Sequence, residues 1–276
     1  MMRNDGWRYY NQALMPDVPP HMQANLSAMN EKGFWKSGRG IPLLARWTSN
    51  WDCNYETNWW FVIKDTPFDI STLKAKRRYE INKGNRHFSV REINPKEYKS
   101  EIYEIQLKAY AEYPEKYRPH IDRERLFAEI ENWTFYKVYG AFHLESKGML
   151  GYAVLNRKGN YIYYAVHKVM PQYESLSINA AIVNRILVDH NDFLVSGGYI
   201  CDGARNILHE TGFQDYLEKY FGFRKAYCKL HIQYRPLVKL AVKLLYPFRK
   251  CLYKMDGNSF VHKVNGILKM EEVVRS

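Results

Sequence analysis

Residues 135 to 169 read FYKVYGAFHLESKGMLGYAVLNRKGNYIYYAVHKV, and this stretch decides the fold. Apolar and polar side chains alternate along it, which is typical of half-buried β-strands. A glycine-containing turn at residues 145–148 joins the first two segments as a hairpin, and Gly159 introduces a third segment that Pro171 stops. The stretch therefore predicts three consecutive strands, at Phe135–Leu144, Met149–Leu155 and Tyr161–Val169.

Helical and extended patterns alternate on both sides of this hairpin. Before it, the sequence predicts one strand and two helices, and after it a helix, a strand, a helix and a strand: His87–Ile93, Lys96–Tyr110, Asp122–Glu131, Ser175–His190, Gly198–Gly203, Thr211–Tyr220 and Phe223–Tyr234. Strands that alternate with helices around a central hairpin predict an α/β (α+β) fold, in which a mixed sheet is flanked by helices.

The regions that flank this pattern differ in composition. Residues 1–70 contain five prolines and six of the seven tryptophans, which predicts an extension of short strands and loops packed on the main domain. A strand at Asn58–Lys64 and a basic helix at Ser71–Lys83, ended by Gly84, follow. We therefore expect three regions: an extension at 1–70, the α/β domain at 71–234 and a basic helical tail at 235–276.

Positive charge is concentrated in two segments. The net charge is +12, and residues 219–254 hold ten Lys and Arg and no Asp or Glu, while residues 74–91 hold seven more Lys and Arg. Such clusters indicate an anionic partner, which would be a cofactor phosphate, an anionic lipid surface or a nucleic acid. A solvated basic face without a partner remains the alternative. No helix-turn-helix or zinc-finger pattern is present, so nucleic acid ranks low.

Several sequence features bear on location and on metals. The four cysteines are widely spaced, residues 1–12 carry no apolar signal segment, and no apolar run approaches eighteen residues. We therefore expect a cytoplasmic protein, with the inner face of the membrane as a place of peripheral attachment. The nine histidines show no metal-ligand spacing, so no metal is expected.

The tail begins with a second amphipathic pattern. After Pro236, five apolar residues follow helical spacing: Leu237, Leu240, Ala241, Leu244 and Leu245. A basic helix of this kind, within 235–254, can lie on an anionic membrane surface. The alternative, that the stripe packs on the protein's own domain, is favoured because a chain of this size commonly ends in a docked helix.

Element order and two segments resemble one superfamily. Residues 73–84 read LKAKRRYEINKG, and residues 201–205 read CDGAR, followed at 217–224 by LEKYFGFR. The order is that of the GNAT acyltransferases over residues 73–234. The first segment resembles the basic stretch that opens the second acyltransferase-like half of Fem-type and related envelope enzymes. The others resemble that group's Asp-Gly turn and Phe-Gly-Phe return. The chain also resembles uncharacterised proteins of the Bacteroidetes type.

The resemblance implies an acyltransferase that moves an acyl or aminoacyl group to an amine or hydroxyl of a sugar or peptide, in cell-envelope polysaccharide biosynthesis. The donor would be acyl-CoA or aminoacyl-tRNA, and tRNA would then be the one nucleic acid involved. Two departures argue against acetyl-CoA: residues 169–177 lack the pyrophosphate-binding glycines, and Glu218 stands where many such enzymes have a Tyr general acid. Fem-type enzymes share both departures, and so would a non-catalytic GNAT-like binding module. A peripheral membrane protein that uses its basic face is the other alternative.

This resemblance places the candidate site on the third strand of the hairpin region and on the strand that ends at Asp202, which we expect to diverge. Asp202 and His167 are candidate bases, although Asp202 also suits a turn cap and His167 an ordinary strand position. The predicted donor-binding residues are Val166, Lys168, Ser175 and Ser177. The predicted phosphate-binding residues, which also suit a solvated face, are Arg77, Arg78, Lys83 and Arg205.

Overall fold

A computed structural model describes residues 6–36, 40–115, 118–207, 212–255, 257 and 259–276. The strands are β1 (Trp7–Tyr10), β2 (Ala13–Pro16), β3 (Leu44–Ser49), β4 (Trp59–Lys64), β5 (Phe88–Ile93), β6 (Tyr136–His143), β7 (Met149–Lys158), β8 (Tyr161–Val169), β9 (Tyr199–Ala204) and β10 (Arg224–Tyr234). The α-helices are α1 (Ala75–His87), α2 (Lys99–Ala111), α3 (Arg123–Glu131), α4 (Ile178–Asp189), α5 (Asn191–Val195), α6 (Gly212–Phe221), α7 (Pro236–Leu245), α8 (Arg249–Lys254) and α9 (Ser259–Arg275). The predicted α/β class is confirmed.

The chain forms two compact units, and neither is continuous in sequence. The larger unit comprises Val62–Gly203 and Gly212–Arg224, and the smaller comprises Met1–Phe61, Ala204–Thr211 and Lys225–Ser276. The expected N-terminal extension and C-terminal tail thus share one unit, with boundaries near residues 61 and 224 instead of 70 and 234. Long-range antiparallel pairing of β10 with β3 brings these segments together, and single-sequence patterns do not reveal such pairing.

The larger unit is built on the predicted hairpin. β5, β6, β7 and β8 pair antiparallel in chain order, and β9 joins β8 in parallel, which gives the mixed sheet. Side chains on β7 alternate between the two faces of the sheet. Tyr152 and Val154 pack with Ile102 of α2, whereas Gly151 lies beneath Ile178 and Ile182 of α4. Helices therefore cover both faces of this sheet.

Helix α1 continues through Gly84, where the sequence predicts its end. A Cβ atom at Gly84 would lie 2.5 Å from the carbonyl oxygen of Ser177 and 3.0 Å from Cβ of Ala181. The glycine therefore permits close packing of α1 on α4 within a helix and does not act as a terminator. The predicted start is also shifted: Asp69 caps a separate 3₁₀ turn at Ile70–Thr72, and α1 begins at Ala75.

The smaller unit has a sheet of β1, β2, β3 and β10 and an aromatic core. β2 pairs parallel with β3, while the β1–β2 and β3–β10 pairs are antiparallel. The Trp7 ring makes edge-to-face contacts with Phe34 and Trp47, at centroid distances of 5.3 and 6.3 Å. These contacts account for the tryptophan content of the N-terminal region, because each large ring needs a buried neighbour.

The favoured interpretation of the tail, that its leucine stripe is docked, is wrong for three leucines. Leu237, Leu240 and Leu244 are exposed, whereas Val242 is buried, and α7 is in contact with α9. Val242 lies more than a third of a helical turn from each of these three leucines, so the packing that buries Val242 does not cover them. No helix among the described residues is long and apolar enough to cross a membrane.

Candidate functional site

Strands β8 and β9 diverge in the larger unit, as the sequence predicts. Their parallel pairing covers Tyr161 to Tyr163 of β8, but β8 continues to Val169. A cleft of about 680 Å³ opens beside this far part of β8, and we call it the β8 cleft. Its lining includes Tyr113, His167, Lys168, Asn179, Phe213 and Tyr216. Divergent strands leave main-chain groups beside the space in which a ligand can bind.

A β-bulge sits at the start of the divergent part of β8. Val154 pairs with Val166 and Leu155 pairs with Tyr164, so Ala165 is the extra residue in β8. Bulges locally disrupt the ladder and redirect side chains, and they are frequent beside functional sites. This bulge fixes the direction of the residues that follow it, including His167 and Lys168.

His167 lies at the centre of a short polar chain in the cleft wall. The Tyr164 hydroxyl lies 2.6 Å from Nδ1 of His167, and Nε2 lies 2.7 Å from Oδ1 of Asn179. Because an amide oxygen only accepts, this arrangement assigns the neutral ring its Nε2–H tautomer, with Nδ1 accepting from Tyr164. Burial lowers the pKa of His167 to about 4, against a smaller raising effect of Asn179. The ring is therefore neutral at pH 7, with both nitrogens occupied.

Asp202 is the second candidate base of this region, and it lies near Tyr164 without lining the cleft. Burial raises the pKa of Asp202 to about 7, although a hydrogen bond from the Gln214 side chain acts in the opposite direction. The nearby carboxylate in turn adds to the burial that raises the pKa of Tyr164. A carboxyl group with a pKa near 7 can take up and release a proton under physiological conditions.

Lys168 contributes the positive charge of the cleft. Its Nζ lies 3.1 Å from the Tyr113 hydroxyl and 4.2 Å from the centroid of the Tyr110 ring. Two carboxylates, Glu112 and Glu174, line the same cleft and are exposed. The Tyr113 hydroxyl and the Tyr110 ring hold Lys168 in place, but they carry no negative charge that would neutralise its ammonium group. Lys168 can therefore face an anionic or electron-rich group of a ligand.

Of the four predicted phosphate-binding residues, Arg77, Arg78 and Lys83 lie in the larger unit and Arg205 lies in the smaller. Arg77 is buried, pairs with Glu80, and stacks on the Tyr220 ring with Cζ 3.2 Å from the centroid. The packing of Arg77 thus supports a structural role inside the unit. Arg78 is exposed and donates to main-chain carbonyls of Ser71 and Leu73.

Lys83 and Arg205 are also engaged in local contacts. Lys83 donates to the carbonyl oxygen of Ser175 at 2.8 Å, which ties α1 to the segment before α4. Arg205 belongs to the smaller unit, where it donates to the carbonyl oxygen of Asn58 at 2.6 Å and lies over the Trp60 ring. Each of the four side chains is therefore engaged in contacts within its own unit.

The predicted donor-binding residues divide into two groups. Val166 and Lys168 lie on the divergent part of β8, and Val166 packs toward the core formed with α2. Ser175 belongs to a 3₁₀ helix at Pro171–Leu176, and Ser177 follows it in the left-handed region at φ 64°. Within this segment the Tyr173 amide donates to the Met170 carbonyl and the Ser177 amide to the Glu174 carbonyl. These two amides are thus already used by the protein.

The site residues that sequence reasoning did not predict include Tyr164, Asn179, Phe213 and Tyr216. Phe213 packs on His167 with ring centroids 4.5 Å apart, and its own ring stacks with that of Tyr216. Asn179 occupies the first turn of α4, directly after Ser177 and Ile178. The available signal was positional, because the start of the helix that follows the divergent strand faces the opening between strands. Among the described residues, no group of three or more His, Cys, Asp or Glu side chains is arranged to hold a metal ion.

No protein-family model matches this sequence, and no curated protein matches it in sequence. Among solved structures, FemX aligns with a TM-score of 0.49 and 10% identity over 66% of this chain and 63% of the FemX chain. L-PGS from Bacillus licheniformis aligns with a TM-score of 0.48 and 11% identity over 88% and 84% of the two chains. A GNAT-family acetyltransferase from Staphylococcus aureus Mu50 aligns with a TM-score of 0.32 and 19% identity over 38% and 67%. This chain thus spans less than two thirds of FemX. These are similarities of fold, and at this level they assign the chain no activity.

Proposed function

We propose that this protein is an acyltransferase that moves an acyl or aminoacyl group onto an amine or hydroxyl of a sugar or peptide in the β8 cleft. The observation that carries the proposal is the divergence of β8 from β9 beside a cleft that holds the Tyr164–His167–Asn179 chain. The open strand offers main-chain groups for an extended donor, and the cleft offers space for the acceptor.

The reaction requires a nucleophile and a route for one proton. The lone pair of the acceptor nitrogen or oxygen attacks the acyl carbon, the bond from that carbon to the donor's ester oxygen or thioester sulfur breaks, and the leaving group takes up a proton. The acceptor's proton passes to a base, for which Asp202 is the better of the two candidates because its pKa lies near 7. Since Asp202 does not line the cleft, we propose that the proton reaches it by way of the neighbouring Tyr164 hydroxyl. His167 has no free ring nitrogen, so we assign it a positioning role through Tyr164 and Asn179.

Lys168 is the group in the cleft that suits the developing negative charge. Acyl transfer passes through a tetrahedral intermediate with an oxyanion, and fixed positive charge stabilises it more than it stabilises the ground state. Lys168 lines the cleft and is steadied by Tyr110 and Tyr113. We infer that its ammonium group binds the donor carbonyl oxygen or an adjacent anionic group.

The acceptor class follows from the other cleft residues. Glu112 and Glu174 provide negative charge that favours an amine, and the rings of Phe213 and Tyr216 provide flat apolar walls that suit a sugar or peptide. A cell-envelope precursor combines an amine with a sugar or peptide, and we propose such a precursor as the acceptor. The donor we propose is aminoacyl-tRNA in preference to acetyl-CoA, since the segment before α4 uses its own amides.

This donor preference leads to an expected binding result. Each hydrogen bond from an amide to a charged phosphate contributes roughly 1.5–3 kcal/mol, so loss of two such bonds weakens acetyl-CoA binding by a hundredfold or more. Isothermal titration should therefore give no saturable binding of acetyl-CoA at micromolar concentrations. Acetyl-pantetheine, which lacks the pyrophosphate, is the matched ligand and should bind no more weakly than acetyl-CoA. Micromolar affinity for acetyl-CoA without similar affinity for acetyl-pantetheine would contradict this donor preference and would indicate an ordinary acetyl-CoA-dependent acetyltransferase.

The activity itself is tested with a panel of donors and acceptors. Aminoacyl-tRNAs and acyl-CoAs carrying a labelled acyl group are incubated with nucleotide-sugars and peptides, and products are followed by mass spectrometry. We expect Lys168→Met to lower the rate by about tenfold to a thousandfold, as for loss of one oxyanion-stabilising group. The control is Lys76→Met, which removes an exposed lysine of α1. Equal rates for wild type and Lys168→Met would contradict the assignment.

A non-catalytic binding module is the second candidate function. It is favoured by one observation, the full engagement of both His167 nitrogens within the protein. Such a module would bind a donor or acceptor from the panel in the β8 cleft, with weaker binding in Lys168→Met, yet would form no product with any pair. Detection of transferred label with any pair of donor and acceptor would exclude the non-catalytic module and support the enzyme.

A further inference from the structure

The smaller unit carries an exposed apolar face at its C-terminal end. Leu237, Leu240 and Leu244 of α7 are 83%, 56% and 62% exposed, and Ala241 lies between them. We call these four residues the leucine face. Phe248, Met255 and Phe260, farther along the same segment, are also more than half exposed. Large apolar side chains this close together on a surface mark a site of interaction.

The leucine face is not the face by which α7 is held. At 100° per residue, Leu237, Leu240, Ala241 and Leu244 fall within one arc of about 100°, and Val238, Val242 and Leu245 fall in the arc beside it. Val242 is buried, and Val238 and Leu245 are partly buried. The helix is thus anchored by one apolar arc and presents a second one outward.

Exposed lysines accompany this face. On α7, Lys243 borders the leucine face at about 60° from Leu240 and Lys239 lies about 40° beyond it, and Lys250 and Lys254 follow on α8. None of the four has an ion-pair partner among the residues that the structure describes. The acidic residues of α9 are engaged elsewhere, because Glu271 pairs with Arg275 and Glu272 with Arg249.

We propose that the leucine face and these four lysines bind an anionic membrane surface. A helix in this arrangement lies in the plane of the interface, with its leucines in the acyl region and its lysines near the phosphates. The positive charge of this segment favours a membrane over a second copy of the chain as the binding partner. A second copy would bring ten more Lys and Arg from its own residues 219–254 and no carboxylate from that segment. An anionic leaflet instead supplies negative charge across the whole face. This inference concerns the smaller unit and does not rest on the acyltransferase proposal.

The test is co-sedimentation of the full chain with vesicles of phosphatidylglycerol and phosphatidylcholine, and with vesicles of phosphatidylcholine alone. We expect binding to the anionic vesicles, weaker binding in high salt, and little binding to the neutral ones. The variant Leu237→Gln, Leu240→Gln, Leu244→Gln should lose binding. Replacing Lys239 and Lys243 with Gln should weaken it on the order of tenfold to thirtyfold, as for two basic residues near an anionic surface.

A matched variant keeps the test specific to this face. Phe135, Val188 and Val195 of the larger unit are exposed apolar residues, and their triple replacement by Gln should leave vesicle binding unchanged. The proposal is overturned if wild type does not bind anionic vesicles, or if the leucine variant binds as well as wild type. Sedimentation velocity supplies one more contrary outcome: a dimer that the leucine variant converts to a monomer, without a change in vesicle binding, would assign the face to a second copy.

Discussion

Replacing Asp202 with Asn is expected to raise the melting temperature at pH 8 and to reduce acyl transfer at the same time. Burial raises the pKa of Asp202 from its ordinary 3.8 to about 7. The folded protein therefore binds the proton more tightly than the unfolded chain, and this contribution to stability is present below pH 4 and is lost as the pH rises through 7. Asn carries no charge at any of these pH values, so the variant avoids the loss.

The expected size of this effect is large for one substitution. Three pKa units correspond to about 4 kcal/mol, and we expect roughly 2–4 kcal/mol at pH 8, after the Gln214 contact is altered. For a chain of this length that is a gain of roughly 5–10 °C in melting temperature, with little difference from wild type at pH 4. Differential scanning fluorimetry across pH 4–8 measures it.

The activity of the Asn variant provides the second half of this prediction. Loss of a general base costs roughly a hundredfold to ten-thousandfold in rate, so the transfer rate should fall while stability rises. Asp192→Asn, an exposed acid on α5, is the control and should change neither property strongly. Full activity in Asp202→Asn would exclude Asp202 as the base, and a lower melting temperature at pH 8 would show that its charge stabilises the fold.

A second large effect is expected from two adjacent arginines of α1. Arg77→Ala removes a buried guanidinium that pairs with Glu80 and stacks on Tyr220, so the free energy of unfolding should fall by about 3 kcal/mol. Arg78→Ala removes an exposed side chain and should cost less than about 1 kcal/mol. Urea denaturation of the two variants measures the difference.

The conservative variant separates charge from shape at this position. Arg77→Lys retains the charge but not the planar group that stacks on Tyr220, so we expect it to recover only part of the lost stability. If Arg77→Ala is as stable as wild type but loses affinity for a phosphorylated donor, the structural role is wrong and the sequence-based prediction of phosphate binding is correct.

The sequence predicts the elements of the larger unit because each depends on local periodicity. Alternation in residues 135–169 gives β6, β7 and β8, and helical spacing of Ile178, Ile182 and Ile186 gives α4. Gly84 shows the limit of that reasoning. The local sequence around Gly84 predicts a helix end. In the fold this glycine instead allows the close approach of α4, which is distant in sequence.

The candidate site was predictable in position and not in detail. Strand order places His167 and Lys168 at an opening, and the structure adds the partners that determine their states, such as Asn179 and Phe213. The charge of Arg77 suggested a phosphate ligand, but its guanidinium already pairs with Glu80 and stacks on the Tyr220 ring. Basic side chains in a sequence reveal their charge and not their partners, so contacts decide between the two roles.

The bulge at Ala165 also determines how this site can change by deletion. In a regular strand, residues three apart point to opposite faces, yet the Tyr164 hydroxyl reaches Nδ1 of His167 because one of the intervening residues is the extra one. Loss of Ala165 would put the tyrosine and the histidine two residues apart, so regular alternation would keep both on one side of the sheet, while the bend and added twist of the bulge would be lost. The polar chain therefore depends on the pairing register of β8 as much as on the identity of its residues: with the two rings three residues apart the bulge is required, and with the rings two residues apart it is not.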